Sequence, residues 1–123
     1  MPTQLKIVSL DTSLTKPSSS GGSAMRDMYL ELSEVPPSGW SNFFDQERNF
    51  PRHSMWREAR IKGKYIVIDC VPEELENYHL SDLKEDVLNA NRKYDQAVER
   101  EIQRRKIEKE EMKKMKRRGV LKT

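Results

Sequence analysis

Tyr65 to Val71 reads YIVIDCV, and the fold is decided there. The stretch is rich in β-branched residues and apolar at successive positions. That marks a strand covered on both faces, hence a central one. Just before it, Met55 to Ile61 has the length and β-branched end of a partner strand. The two are joined through Lys62-Gly63-Lys64, where the glycine supplies the positive φ that a tight hairpin needs. Outward on the N-terminal side, Arg26 to Ser33 (RDMYLELS) puts Met28, Leu30 and Leu32 on one face and Tyr29, Glu31 and Ser33 on the other. This is the alternation of a half-buried strand, and Pro36-Pro37 ends it. Gln4 to Leu10 (QLKIVSL) is a fourth short strand. Asp11 to Ala24 (DTSLTKPSSSGGSA), rich in Ser, Thr, Gly and Pro, is expected to be a mobile loop.

Between the second and third strands, Ser38 to Arg48 (SGWSNFFDQER) can close into a short helix. Trp40, Phe43 and Phe44 then fall at i, i+3 and i+4 and cover the sheet as core. After the hairpin, Pro72-Glu73-Glu74 has the marks of a helix start: proline in the first turn, with carboxylates at the positive end of the dipole. Ser81-Asp82 offers a second start, unless the helix runs through with a kink. From Leu80 the apolar positions are Leu83, Val87, Ala90, Tyr94, Ala97/Val98 and Ile102, at near-heptad spacing. A helix from Leu80 to Arg117 would be about 57 Å long. A domain of this length has a radius of gyration of roughly 13–14 Å, so the helix cannot lie wholly on its own sheet.

The expected fold is therefore α+β: a small four-stranded, mainly antiparallel sheet in the order β-β-α-β-β-α, with a short aromatic helix and a long charged C-terminal helix. Residues 1–80 form the body, with its mobile loop 11–24. Residues 81–123 form the helix, partly packed on the body and ending in a basic tip.

Charge is unevenly spread. Residues 81–123 hold 14 Lys/Arg and 9 Asp/Glu, whereas residues 1–80 hold 9 and 11. A near-neutral body with a basic appendage is a different object from a uniformly basic protein. No stretch approaches the roughly 20 apolar residues of a membrane span. The first ten residues alternate rather than forming a secretory apolar run. One cysteine, Cys70, excludes an internal disulfide framework and fits a reducing, cytoplasmic setting.

Catalytic chemistry finds little footing. No G-x-S-x-G, H-E-x-x-H, P-loop or G-x-G-x-x-G pattern occurs. His53, Cys70 and His79 lie 17 and 9 residues apart, which is no ligand spacing for a metal. A Cys70–His79 dyad is disfavoured because Asp69 and Cys70, adjacent on a strand, point to opposite faces. No cofactor and no small-molecule substrate is implied. Two partner classes remain. The first is another protein or a second copy of the chain, met by Leu83, Val87, Tyr94, Val98 and Ile102 as these carry the core outward. That suits a small accessory or inhibitor-type protein. The second is nucleic acid, met by Lys113, Lys114, Lys116, Arg117 and Arg118. A sheet patch in which Trp56 stacks bases beside Arg52, Arg57 and Arg60 could join them. The mixed charges from Asp95 to Glu111, with i,i+4 pairs such as Glu101–Arg105, suit a helix that supports itself in water.

Overall fold

The computed structural model describes residues 2–17 and 25–119. Four strands, β1 (Ile7–Pro17), β2 (Arg26–Leu32), β3 (Ala59–Lys62) and β4 (Tyr65–Cys70), form one sheet in the order β1-β2-β4-β3. Every neighbouring pair is antiparallel. Helix α1 (Trp40–Arg48) follows β2. After β4, α2 (Pro72–Glu74) leads through a π-helical turn at Leu75–His79 straight into α3 (Leu80–Arg117). The α+β class and the element order match the sequence expectation.

β4 is central because it can be. Ile66, Ile68 and Cys70 face the helices and Val67 faces the other way, and all four are fully buried. Its hairpin with β3 turns through Gly63 at φ 59°, with Lys62 paired to Tyr65. On the helical side, Leu5, Met28, Leu30, Leu32, Trp40 and Phe44 close with Leu75, Leu83, Val87 and Ala90 into one core. Trp40 and Phe44 stack with centroids 5.7 Å apart. Burying a side chain the size of Phe44 is worth about 1.5–3 kcal/mol. Phe43 is only half-buried and meets Tyr94 edge-on at 6.5 Å. Asn91, inside α3, accepts from Trp40 Nε1 at 2.9 Å and donates to the Leu5 carbonyl at 2.9 Å. One amide thus ties α1, α3 and the N-terminal segment together.

Three sequence expectations need correction. β1 continues through residues 11–17, where a mobile loop was expected; residues 18–24 of that loop lie outside the described residues. The polar residues there make a bulge, not an open loop. Asp11 Oδ1 accepts from the backbone N–H groups of Ser13 (3.0 Å) and Leu14 (3.1 Å) and from the Ser13 hydroxyl (2.6 Å). An Asx-type turn thus takes up the extra residues between the Asp11↔Tyr29 and Lys16↔Asp27 pairs. Second, β3 begins at Ala59, not Met55. Residues 53–56 are held in a turn by Trp56 N–H on the His53 carbonyl and by Met55 N–H on His53 Nδ1. Trp56 is therefore not on the sheet. Third, no new helix starts at Ser81-Asp82, because the chain is already helical. The π turn stands where a kink was one alternative. Four residues of α-helix overshoot a full turn by about 40°. The wider π turn offsets that drift, so Leu75, His79 and Leu83 all point inward.

Candidate functional site

The ionisable side chains of the body gather where α1, residues 52–57, the π turn and the start of α3 meet. Asp86, with no exposure, receives Arg48 Nη1 at 3.0 Å on one carboxylate oxygen and the guanidinium of Arg52 on the other. Arg48 also donates to the Arg57 carbonyl at 2.5 Å, and its guanidinium carbon stands 3.8 Å from the Trp56 ring centroid. The Trp56 indole N–H is itself donated to the Arg48 carbonyl at 3.0 Å. His53 Nδ1 accepts from Met55, so its proton belongs on Nε2, which donates to Asp82 at 2.8 Å. Arg57 forks onto both oxygens of Glu74 at 3.1 Å each, and Glu74 takes His79 Nε2 at 3.3 Å. Lys93 closes on Glu47 at 2.7 Å.

This junction clamps α3 to the body. The His79 ring is 1% exposed; burial pushes its pKa down, against the pull of Glu74. Its Nδ1 and the Nε of Arg48 are buried without a partner. Leaving such a group unpaired typically costs about 1–3 kcal/mol. His53 and His79 come within 6.2 Å, centroid to centroid. Among the described residues no group of three or more His, Cys, Asp or Glu side chains is placed to hold a metal ion. Cys70 is in the core, its thiol pushed up to about 11, chiefly by burial. A sulfur held as thiol at neutral pH is a poor nucleophile. No hydrogen bond joins it to His79 Nδ1.

The predicted interface residues divide. Leu83 and Val87 are 0% and 1% exposed, taken up by the chain's own core, and cannot meet a partner as expected. Tyr94 is half-buried against Phe43. Val98 and Ile102, at 39% and 42%, are open. Among the described residues, the last hydrogen bonds from α3 to the body join Asp95 to Thr3, at 2.6 and 2.9 Å. From residue 96 to Arg117 about 33 Å of helix follow.

The residues expected to meet phosphates also divide. Arg52, Trp56 and Arg57 are committed to the junction: the guanidiniums of Arg52 and Arg57 are matched by Asp86, Glu85 and Glu74, and the Trp56 indole N–H by the Arg48 carbonyl. Arg60 is exposed on β3 and lines one surface pocket with Trp56, Arg48 and Glu58. Lys113 and Lys114 have only long contacts, 3.8 Å, to Glu110 and Glu111. Lys116, Arg117 and Arg118 are exposed and, among the described residues, make no ion pair. Sequence reasoning missed the Arg48–Asp86 pair, since nothing in the spacing of residues 48 and 86 announces it. No helix of the described residues is long and apolar enough to cross a membrane. No protein-family model, no curated protein and no solved structure matches this chain.

Proposed function

We propose that the chain is a non-enzymatic accessory or inhibitor-type protein that acts by protein–protein contact through the outer part of α3. One observation carries this. A helix clamped at its root by buried charge pairs runs about 22 residues past its last hydrogen bond to the body, and it presents Val98 and Ile102 to solvent. Rigid clamping presents an outer helix face with little ordering left to be lost on binding, which favours recognition. The ionisable groups of the body serve as the clamp. That is a sufficient reason for their clustering without any reaction.

The test is a photo-crosslinking amino acid placed at Ile102 in the full chain and, as a control, at the exposed Ser54. Irradiation in an extract of the native cell should give nuclease-resistant protein adducts from position 102 and few from 54. Equal adduct yields from both positions, or none from 102, would sink the reading.

A second reading, nucleic-acid binding, draws support from Lys116, Arg117 and Arg118 at the helix end, which make no ion pair among the described residues. It predicts affinity that falls steeply with salt. The engagement of Arg52, Trp56 and Arg57 in the clamp leaves it without its second patch.

A further inference from the structure

We propose that the partner is acidic and helical, docking along one face of α3 formed by Val98, Ile102, Lys106, Lys109, Lys113 and Lys116. This rests on the protein-contact reading above. From Ile102 the residues of this face follow at steps of four, three, four and three, with Val98 one turn before. That is heptad spacing, which holds a line of side chains against one neighbouring helix. At its root the line is apolar and exposed; beyond, it is lysine alone.

The charges of the arm differ in how they are paired. Glu101 binds Arg104 at 2.6 Å and Arg105, which borders the line beside Val98, at 3.0 Å. Arg104 also reaches Glu108 at 3.2 Å. The two arginines hold Glu101 down to about 2, Arg104 first. On the line itself Lys106, Lys109 and Lys116 make no ion pair among the described residues, and Lys113 has only its 3.8 Å contact with Glu110. Like charges at i,i+3 and i,i+4 weaken a free helix, so self-support does not explain them. A matching row of carboxylates would.

A second copy would bring the same lysines to the seam and be repelled. A bare phosphate backbone would leave Val98 and Ile102 without a counterpart. An acidic amphipathic helix satisfies both ends of the face. Val98 to Lys116 spans about 27 Å, so the partner segment needs about 18 residues.

The probes are two labelled helical peptides of about 20 residues. Both carry glutamate on the seam positions, with leucines at the N-terminal end in one and at the C-terminal end in the other. They are titrated into the full chain by fluorescence anisotropy, beside a sequence-scrambled peptide and a single-stranded oligonucleotide of equal charge. One of the two peptides should bind about tenfold more tightly than the scramble. The triple variant Lys106→Glu, Lys109→Glu, Lys113→Glu should lose that binding, and Val98→Ser with Ile102→Ser should weaken it severalfold. Lys114→Glu, about 100° round the helix from Lys113 and off the line, should leave it unchanged. Circular dichroism confirms that each variant keeps its helix. The proposal is overturned if the scramble binds as well, if the oligonucleotide binds more tightly, or if neither peptide binds. In the last case protein adducts from position 102 would still uphold the broader reading, so the two fail separately.

Discussion

Asp86 shows how much of this molecule hangs on single side chains. Its carboxylate is wholly buried, and two guanidiniums from opposite sides of one turn converge on it. Removing one partner of a buried ion pair leaves the other uncompensated, at a cost of about 3–5 kcal/mol. Asp86→Ala should therefore lower stability by about that amount in urea unfolding, a large share of what a domain this size has. If the loss stayed under about 1 kcal/mol, the level of a surface pair, the clamp would not hold the helix. His79 gives a second prediction. Its folded pKa lies below the unfolded value of about 6.5. Below pH ~6.5 the unfolded chain then binds more protons than the folded one, so stability is full above that pH and falls as the pH drops towards the folded pKa. His79→Gln keeps an N–H for Glu74 but cannot titrate, and should flatten the slope of stability just below pH ~6.5. The carboxylates lowered by their partners, Glu74 and Glu31 among them, act only below about pH 4.5 and do not obscure this window.

At the scale of elements, α3 is two helices in one. The part up to Asp95 is held by the core and by Thr3, whereas the part beyond is held by its own ion pairs. A chain ended after Ile102 should keep its melting temperature within about 2 °C, because changes away from the core stay near 0.5 kcal/mol. Its ellipticity should fall by the share of the helical residues removed. A drop of many degrees would mean that the arm folds back on the body. The bulge in β1 is a smaller test. Asp11→Ala removes four hydrogen bonds of 2.6–3.3 Å, one of them from the Tyr65 hydroxyl, from one half-buried carboxylate, and should cost about 1 kcal/mol, the usual value of such a local cap. These elements were unequally legible. YIVIDCV, the hairpin glycine and the apolar spacing from Leu80 are periodic signals, and they placed β4, the β3–β4 turn and α3. Residues 11–17 have loop composition, but Asp11 and Ser13 use that polarity to build a bulge within a strand. Alternation predicts Trp56 on the sheet but cannot register the local turn that His53 closes or the indole N–H on the Arg48 carbonyl. The clamp was illegible because residues 48, 74, 79 and 86 meet only after folding. Lys106 and Lys109, by contrast, stand at readable heptad steps, hidden among neighbours of both signs.

Over the whole molecule, sign of charge separates with distance from the core. Residues 1–95 carry 12 Lys/Arg against 15 Asp/Glu, and residues 96–118 carry 10 against 5. The body thus bears a net −3 and the arm a net +5, set apart along a helix that reaches about 33 Å beyond it. Two such molecules could pair head to tail, with the arm of one on the acidic body of the next. They could also pair arm to arm along the flank where Glu101, Arg105 and Glu108 alternate. Each of those pairings should tighten at low salt, where charge attraction reaches across about 10 Å and more. The lysine line works the other way, because copies that approach along it repel most strongly when screening is least. If that line is what the arm presents, light scattering on the full chain should give the monomer mass at low salt. The Stokes radius should exceed that of a compact chain and drop on truncation after Ile102 by more than the lost mass accounts for. A dimer that forms at low salt and comes apart at high salt would place opposite charges, not like ones, at the contact, and would make a second copy the partner of the arm.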